Sequence, residues 1–147
     1  MKLVIQRVSR ARVTVSGRLV SEIDFGLLLL IGIDDGDVWP DIEASLEKVV
    51  ALRCFADERG KMNHSLLDTG GSLMLVSQFT LCADLSSGRR PSFTGAAPPD
   101  IAEQLYNRAI TWAQQRLGEE RVAAGEFGAE MAVELTNDGP VTFITSI

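Results

Sequence analysis

The sequence predicts an α+β domain centred on a mainly antiparallel, barrel-like β-sheet with two main helices packed on it. Three observations lead there. Period-two alternation marks both ends of the chain, a continuous apolar run interrupts it near residue 30, and two stretches with helical spacing lie between, without regular strand–helix alternation. A chain of 147 residues with 46% hydrophobic and 23% charged content is about the size of one domain, so residues 1–147 are read as a single unit with one sizeable core.

Residues 2–8, 11–15 and 19–23 alternate apolar and polar side chains, and Ser16-Gly17-Arg18 reads as a tight turn between the last two. They predict an antiparallel meander. Gly26 opens the run 27–33, whose unbroken apolar character predicts a strand covered on both faces, ended by Gly32 and the Asp34-Asp35-Gly36 turn. Pro40 and Asp41 suit a first helical turn, and Ile42, Leu46, Val49 and Val50 follow at helical spacing. Residues 73–81 predict a further strand. The Ser, Gly and Pro-rich stretch from there to Pro99, about 17 residues, is longer than most connections and is a candidate binding loop. A second helix is predicted over residues 99–117, with Asp100 and Glu103 near its positive end, Ile101, Leu105, Ala109 and Trp112 on one face, and Gly118 as its stop. Strands at about 129–135 and 141–146 close the chain, joined by the turn formers Thr136-Asn137-Asp138-Gly139-Pro140.

The longest apolar run, residues 27–31, falls far short of the roughly 20 that cross a bilayer. Met1-Lys2-Leu3-Val4 leads into no signal-peptide core. A soluble, cytoplasmic protein with no membrane association is expected. Cys54 and Cys82 are far apart, flanked by apolar residues and outside any CxxC pair, so reduced structural thiols are expected. With one histidine and no ligand-spaced Cys or His cluster, neither a metal nor a cofactor is expected. The net charge of −6 excludes broad adhesion to a polyanion, so a nucleic-acid partner would have to be held locally. Gly88-Arg89-Arg90-Pro91-Ser92-Phe93 is the dense basic cluster, and Arg7, Arg10 and Arg12 form a looser group. Phosphate contacts and solvated turns explain such clusters equally well.

A catalytic base is hard to find. A Ser, His and Asp arrangement could use only His64, which lies in the turn-like Lys61-Met62-Asn63-His64-Ser65 and reads better as a surface or capping residue. Two segments resist a bland reading. Ser77-Gln78-Phe79-Thr80 places three polar side chains at the end of an apolar strand, as a buried hydrogen-bonded network or as the lining of a pocket. Asn137-Asp138-Gly139-Pro140-Val141-Thr142 reads as a strand connection, or as a site where a Gly-Pro bond is cis and the Gly139 carbonyl approaches a ligand.

Together with Gln6-Arg7-Val8, Gly60-Lys61-Met62-Asn63 and the residue 88–93 cluster, these motifs resemble, in order and across nearly the whole chain, the D-aminoacyl-tRNA deacylase family. His64, where the family often has another residue, and Cys82, where it often has an aromatic one, are departures. The resemblance implies a cofactor-free homodimer with active sites at the subunit interface, acting on the aminoacylated 3′ end of tRNA. Ser77, Gln78, Phe79 and Thr80 of one subunit would line the pocket, and a cis Gly139-Pro140 of the other would enter it, its carbonyls accepting from the substrate ammonium and leaving no room for an L side chain. D-amino acids and glycine would fit. The neighbouring ribose hydroxyl would assist water, while backbone N–H groups of Phe79 or Thr80 stabilise the oxyanion; a nucleophilic Thr80 is the weaker alternative because nothing near it in sequence would deprotonate it. Arg7 would orient the Gly139-Pro140 segment or form a plain salt bridge, and Arg89 and Arg90 would contact acceptor-end phosphates. The competing readings are a deacylase for mischarged L-amino acids, a noncatalytic RNA-binding module using the Arg89-Arg90 loop, and a structural homodimer. Aromatic content of only 6% disfavours a stacking platform for RNA.

Overall fold

Strand β1, Lys2–Val15, organises the fold, because it is long enough to serve three partners. The structure is a computed structural model that describes residues 1–146. One edge of β1 pairs antiparallel along almost its whole length with β8, Met131–Ser146. Its other edge is shared: residues 2–8 pair with β3, Gly26–Gly32, and residues 11–15 with β2, Arg18–Ile23. The expected meander is therefore corrected. β3 returns beside β1 rather than beside β2, and residues 2–8 and 11–15 are one strand, bulged rather than broken near Val8. Ser16 (φ 50°) and Gly17 (φ 78°) make the predicted tight turn, both central residues having the positive φ of a hairpin that matches strand twist.

β3 then pairs in parallel with β6, Ser72–Ser77, and β6 in parallel with β7, Val122–Ala124. The sheet is thus mixed, antiparallel around β1 and parallel beyond β3. Ser21 Oγ donates to Ala124 O at 2.7 Å, bringing β2 to β7 and nearly closing the barrel. Burial on both faces explains the uniform apolar character of β3. Leu27, Leu29 and Ile31 pack toward the helices, and Leu28 joins Val8, Val13, Met74 and Val76 inside the barrel. Each such buried side chain stabilises the fold by about 1.5–3 kcal/mol.

Helix α1, Trp39–Val50, buries Ile42, Leu46, Val49 and Val50 as their spacing predicts. The connection to β6 adds the two-stranded hairpin β4, Phe55–Ala56, and β5, Met62–His64, and a four-residue helix α2, Leu66–Thr69. In α2 the Ser65 hydroxyl and the Asp68 carboxylate cap reciprocally, satisfying N–H groups that such a short helix leaves open. Helix α3, Pro99–Leu117, has the predicted bounds but a rotated buried face: Tyr106, Ala109, Ala113 and Leu117 are covered, while Ile101 is exposed and Leu105 and Trp112 are half-buried. Tyr106 explains the rotation. Its hydroxyl donates to Leu75 O at 2.9 Å and Gly125 O at 3.2 Å, tying α3 to β6 and to the end of β7.

Two further expectations change. The strand predicted over 73–81 ends at Ser77, and Phe79–Cys82 form a 3-10 helix. The segments 129–135 and 141–146 belong to one strand, so residues 136–140 form an irregularity opposite Val8 instead of a reversing turn.

Candidate active site

The cleft forms where β6 leaves the sheet. Ser77 is the last residue of β6 and pairs with Ile31, and Gln78 N still donates to Ile31 O at 2.7 Å. There the chain turns into the 3-10 helix, which passes directly over Gly32. A Cβ at Gly32 would lie 2.8 Å from Leu81 Cβ and 3.0 Å from Gln78 O, so only glycine permits the turn to sit this low. Leu81 N donates to Gln78 O at 3.1 Å, which leaves the N–H groups of Phe79 and Thr80, the first of the helix, without acceptors among the described residues. Thr80 Oγ1 accepts from Gln78 Nε2. Contrary to the expectation of a buried strand end, Phe79 is 60% exposed and Thr80 is exposed too, which makes this a rim.

Above the rim opens a cavity of about 690 Å³. Ser77, Gln78 and Phe79 form its floor, Phe93, Ala96 and Ala97 one wall, and Phe127, Met131 and Val133 another. The Phe79 and Phe93 rings meet edge to face at 5.0 Å between centroids, so the long loop predicted as a binding element is held against the rim by its Phe93. Paired hydrogen bonds between Asp84 and Ser92, 2.7 and 3.1 Å, close the base of that loop. Arg89 and Arg90 stand exposed at its tip, neither in an ion pair among the described residues. A narrow cavity of about 30 Å³ continues from Ser77 and Gln78 down to Tyr106. Burial pushes the Tyr106 hydroxyl up to about 12, so it stays protonated. Among the described residues, no ionisable side chain lines the main cavity.

Gly139 and Pro140 lie elsewhere. Asn137 Nδ2 donates to Arg7 O at 2.9 Å and to Val141 O at 3.0 Å. Arg7 Nε donates to Asp138 O at 2.9 Å and sits 3.0 Å from the Asp138 carboxylate, while Nη1 reaches Cys54 O. Arg7 therefore forms the expected salt bridge and also binds the Asp138 carbonyl, the residue before Gly139. The Gly139-Pro140 bond is cis. Arg7 faces Leu27 at the start of β3 and Ser77 faces Ile31 near its end, four residues on, so the segment and the cleft lie on the order of 13 Å apart along the strands. Ser77, Gln78, Phe79 and Thr80 come together, Arg89 and Arg90 lie on the exposed loop whose Phe93 packs on Phe79, and Arg7, Gly139 and Pro140 form a separate group within one chain. His64 joins neither. It lies on β5 with Nε2 3.9 Å from Glu58.

Sequence reasoning missed the walls. Met131 and Val133 alternate along a strand and pack against the barrel core, and they line the cavity as well. Ala96, Ala97 and Phe127 carry no polar signal; the length of the 82–98 loop was the clue to the first two.

Among the described residues, a barrel rim with open backbone N–H groups meets an apolar cleft lined by no acid or base, an arrangement that can hold an apolar group and stabilise an oxyanion. The model of the family described as D-Tyr-tRNA(Tyr) deacylase matches residues 4–146. Proteins called D-aminoacyl-tRNA deacylase from Kosmotoga olearia (52% identical over 98% of this chain and 95% of its own) and Ectopseudomonas mendocina (52%, all of both) are similar throughout. A solved structure described as a c-Myc DNA unwinding element binding protein superposes with TM-score 0.95 at 39% identity, covering 100% of this chain and 99% of that one. Another, a probable eukaryotic D-amino acid tRNA deacylase, superposes at 0.84 with 16% identity, covering 99% and 98%, and shares the fold. The chain belongs to the D-Tyr-tRNA(Tyr) deacylase family and is a hydrolase of aminoacyl-tRNA ester bonds.

Proposed function

We propose that the chain is a cytoplasmic proofreading enzyme that hydrolyses the ester between a D-amino acid, or glycine, and the 3′-terminal adenosine of tRNA, and that it does so as a homodimer with two composite sites. The observation that carries the catalytic part is that, among the described residues, no ionisable side chain lines the cavity beside two unpaired N–H groups, those of Phe79 and Thr80. An aminoacyl ester is activated already. Its neighbouring ribose 2′-hydroxyl can assist the attacking water, so the protein needs to hold the ester and stabilise the oxyanion, which two rigid N–H donors can do. Ser77 and Gln78 hold the substrate from the floor, and Arg89 and Arg90 contact acceptor-end phosphates, which reconciles RNA binding with a net charge of −6.

The separation of the Gly139-Pro140 segment from the cleft supports a contribution in trans, with one protomer's segment entering its partner's cleft. Arg7 and Asn137 then act as the brace that presents it. Carbonyls of that segment accept from the substrate ammonium and occupy the space an L side chain needs, which rejects L-esters while side-chain identity goes unread.

The test is deacylation of D-tyrosyl-tRNA against L-tyrosyl-tRNA by the purified protein with chelator present, alongside Thr80→Ala, Gly139→Ala and a tRNA ending in 2′-deoxyadenosine. Loss of the D-ester alone is expected, surviving chelator and Thr80→Ala but not the 2′-deoxy end. Rapid loss of the L-ester overturns the chiral reading, and undiminished turnover of the 2′-deoxy substrate overturns RNA assistance. A Cβ at Gly139 would run into Asn137 Oδ1 and Val141 N, so Gly139→Ala displaces the segment and its selectivity falls.

A further inference from the structure

Arg7 holds the backbone just ahead of Gly139, and Arg7 is itself held from two sides. Its Nε donates to Asp138 O at 2.9 Å and its Nη1 to Cys54 O at 2.5 Å. The Asp138 carboxylate, 3.0 Å from Nε, is 48% exposed, and an ion pair so open to water orients an arginine weakly. Cys54 is buried, so its carbonyl is the firmer anchor. What fixes that carbonyl lies one residue earlier. Arg53 lays a planar fork across the root of the β4–β5 hairpin: Nε donates to Asn63 O at 2.8 Å and Nη2 donates to Asn63 Oδ1. On the other side of Cys54, Phe55 pairs with His64, and its ring meets the Phe25 ring at 5.0 Å between centroids. The far end of the hairpin closes on itself. Asp57 Oδ1 accepts from Arg59 N and Lys61 N at 2.9 and 3.0 Å, and Asp57 N donates to Lys61 O at 2.8 Å. Cys54 therefore sits between a bidentate fork and a packed strand pair, with its carbonyl facing Arg7.

We propose that Arg53 is a positioning residue for the Gly139-Pro140 segment: with Asn63 it fixes the Cys54 carbonyl, that carbonyl fixes the Arg7 guanidinium, and Arg7 fixes the backbone ahead of Gly139. The contacts join residues 7, 53, 54, 63 and 138, and Arg7 is the shared member because one rigid plane can bond a carbonyl at each edge. Without the fork the root of the hairpin opens and Cys54 O shifts. Arg7 then keeps Asp138 alone and turns with it, so the segment takes a range of positions instead of one. Carbonyls that reject an isomer by occupying its space must stay in place, and selectivity is lost before turnover is. Arg53 and Asn63 are exposed, so replacing them opens no gap in the core. This inference rests on the reading of the segment as the chiral element, and its test separates the two.

Two full-length variants carry the test. Arg53→Ala removes the fork, and Arg53→Lys keeps the positive charge without it. Arginine labelled with nitrogen-15 reads the clamp by NMR, without reference to activity. The Arg7 Nε–H is expected to exchange with water at least about tenfold faster in both variants, while the amides of β1 and β3 keep their rates. With D- and L-tyrosyl-tRNA, the ratio of kcat/KM for the D-ester to that for the L-ester is expected to fall about tenfold. KM for the D-ester should rise about fivefold with kcat within about threefold. A purely structural role lowers the melting temperature and the active fraction but leaves the ratio and KM where they were. Unchanged exchange at Arg7, or an unchanged ratio in a parent that discriminates, overturns the proposal. So does full recovery of the ratio and KM in Arg53→Lys, which would make Arg53 a phosphate contact. If Arg53→Ala fails to fold, Asn63→Ala, which removes only the Oδ1 contact, decides in its place. Should the parent show no preference between the esters while the Arg7 shift is seen, the clamp stands and the chiral reading falls.

Discussion

Phe79 contributes to the rim through two separable features, a ring against Phe93 and an N–H without an acceptor. Substitution can part them. Phe79 opens the 3-10 helix, a first helical position at which proline is tolerated, so proline at 79 removes the N–H, whereas alanine removes only the ring. Relative to Phe79→Ala, Phe79→Pro should lose about 10²–10³ in kcat for D-tyrosyl-tRNA if that N–H stabilises the oxyanion. Equal rates would remove it from the mechanism. Thr80 is different, since its hydroxyl accepts from Gln78 and no base lies near, so Thr80→Ala should keep kcat within about threefold in the same assay. Asp34 gives a pH signature. Burial opposes its ionisation, yet the Cys82 thiol and the Met1 ammonium outweigh burial and hold its carboxyl below the ordinary 3.8. A carboxylate with a depressed folded pKa contributes stability above its unfolded value and loses it as pH falls through the folded one. Urea midpoints of the parent and Asp34→Asn should therefore differ most at neutral pH and converge below about pH 3.8; a gap that persists in acid would show that the effect is steric.

At the scale of the element, α3 shows how one polar group redirects a helix. The stripe through Ile101, Leu105, Ala109 and Trp112 was legible as apolar, but the buried face follows Tyr106, whose hydroxyl satisfies carbonyls on β6 and after β7. Tyr106→Phe should cost about 1 kcal/mol in urea unfolding, because Gly125 O loses the Tyr106 donor while Leu75 O keeps only Gly125 N. A cost near zero would mean that apolar packing alone sets the rotation. The same contrast runs through the fold. β3, α1 and the bounds of α3 were readable because burial there matches a local period. The continuity of β8 was not, since Asn137, Asp138, Gly139 and Pro140 carry turn chemistry while pairing with β1 on both sides carries the strand through. β7 has three residues and a parallel partner, too little for any periodic signal. α2 did carry one, the Ser65 and Asp68 spacing of a capping box, which went unread. Of the site, the motifs that carry polar atoms were found and the apolar walls were not.

For the whole molecule, charge and symmetry set the tests. With a net charge of −6, RNA binding that rests on two loop arginines should show a shallow salt dependence. If Arg89 and Arg90 meet phosphates of the single-stranded end, Arg89→Ala with Arg90→Ala should reduce the slope of log K against log salt by about 1.4, read from tRNA binding between low and moderate salt. An unchanged slope would move the phosphate contacts elsewhere on the surface. Symmetry gives the stricter test, since a site composed of one protomer's cleft and its partner's segment can be repaired by mixing. Gly139→Ala damages the segment that a chain donates, and Ala129→Trp fills the cleft that it owns, a lining position outside the core. Each homodimer then has two faulty sites. A heterodimer has one site with both faults and one with neither, so an equal mixture, half of it heterodimer, should regain about one quarter of the parent activity after subunit exchange. If the segment instead acts within its own chain, each variant spoils its own site and mixing restores nothing.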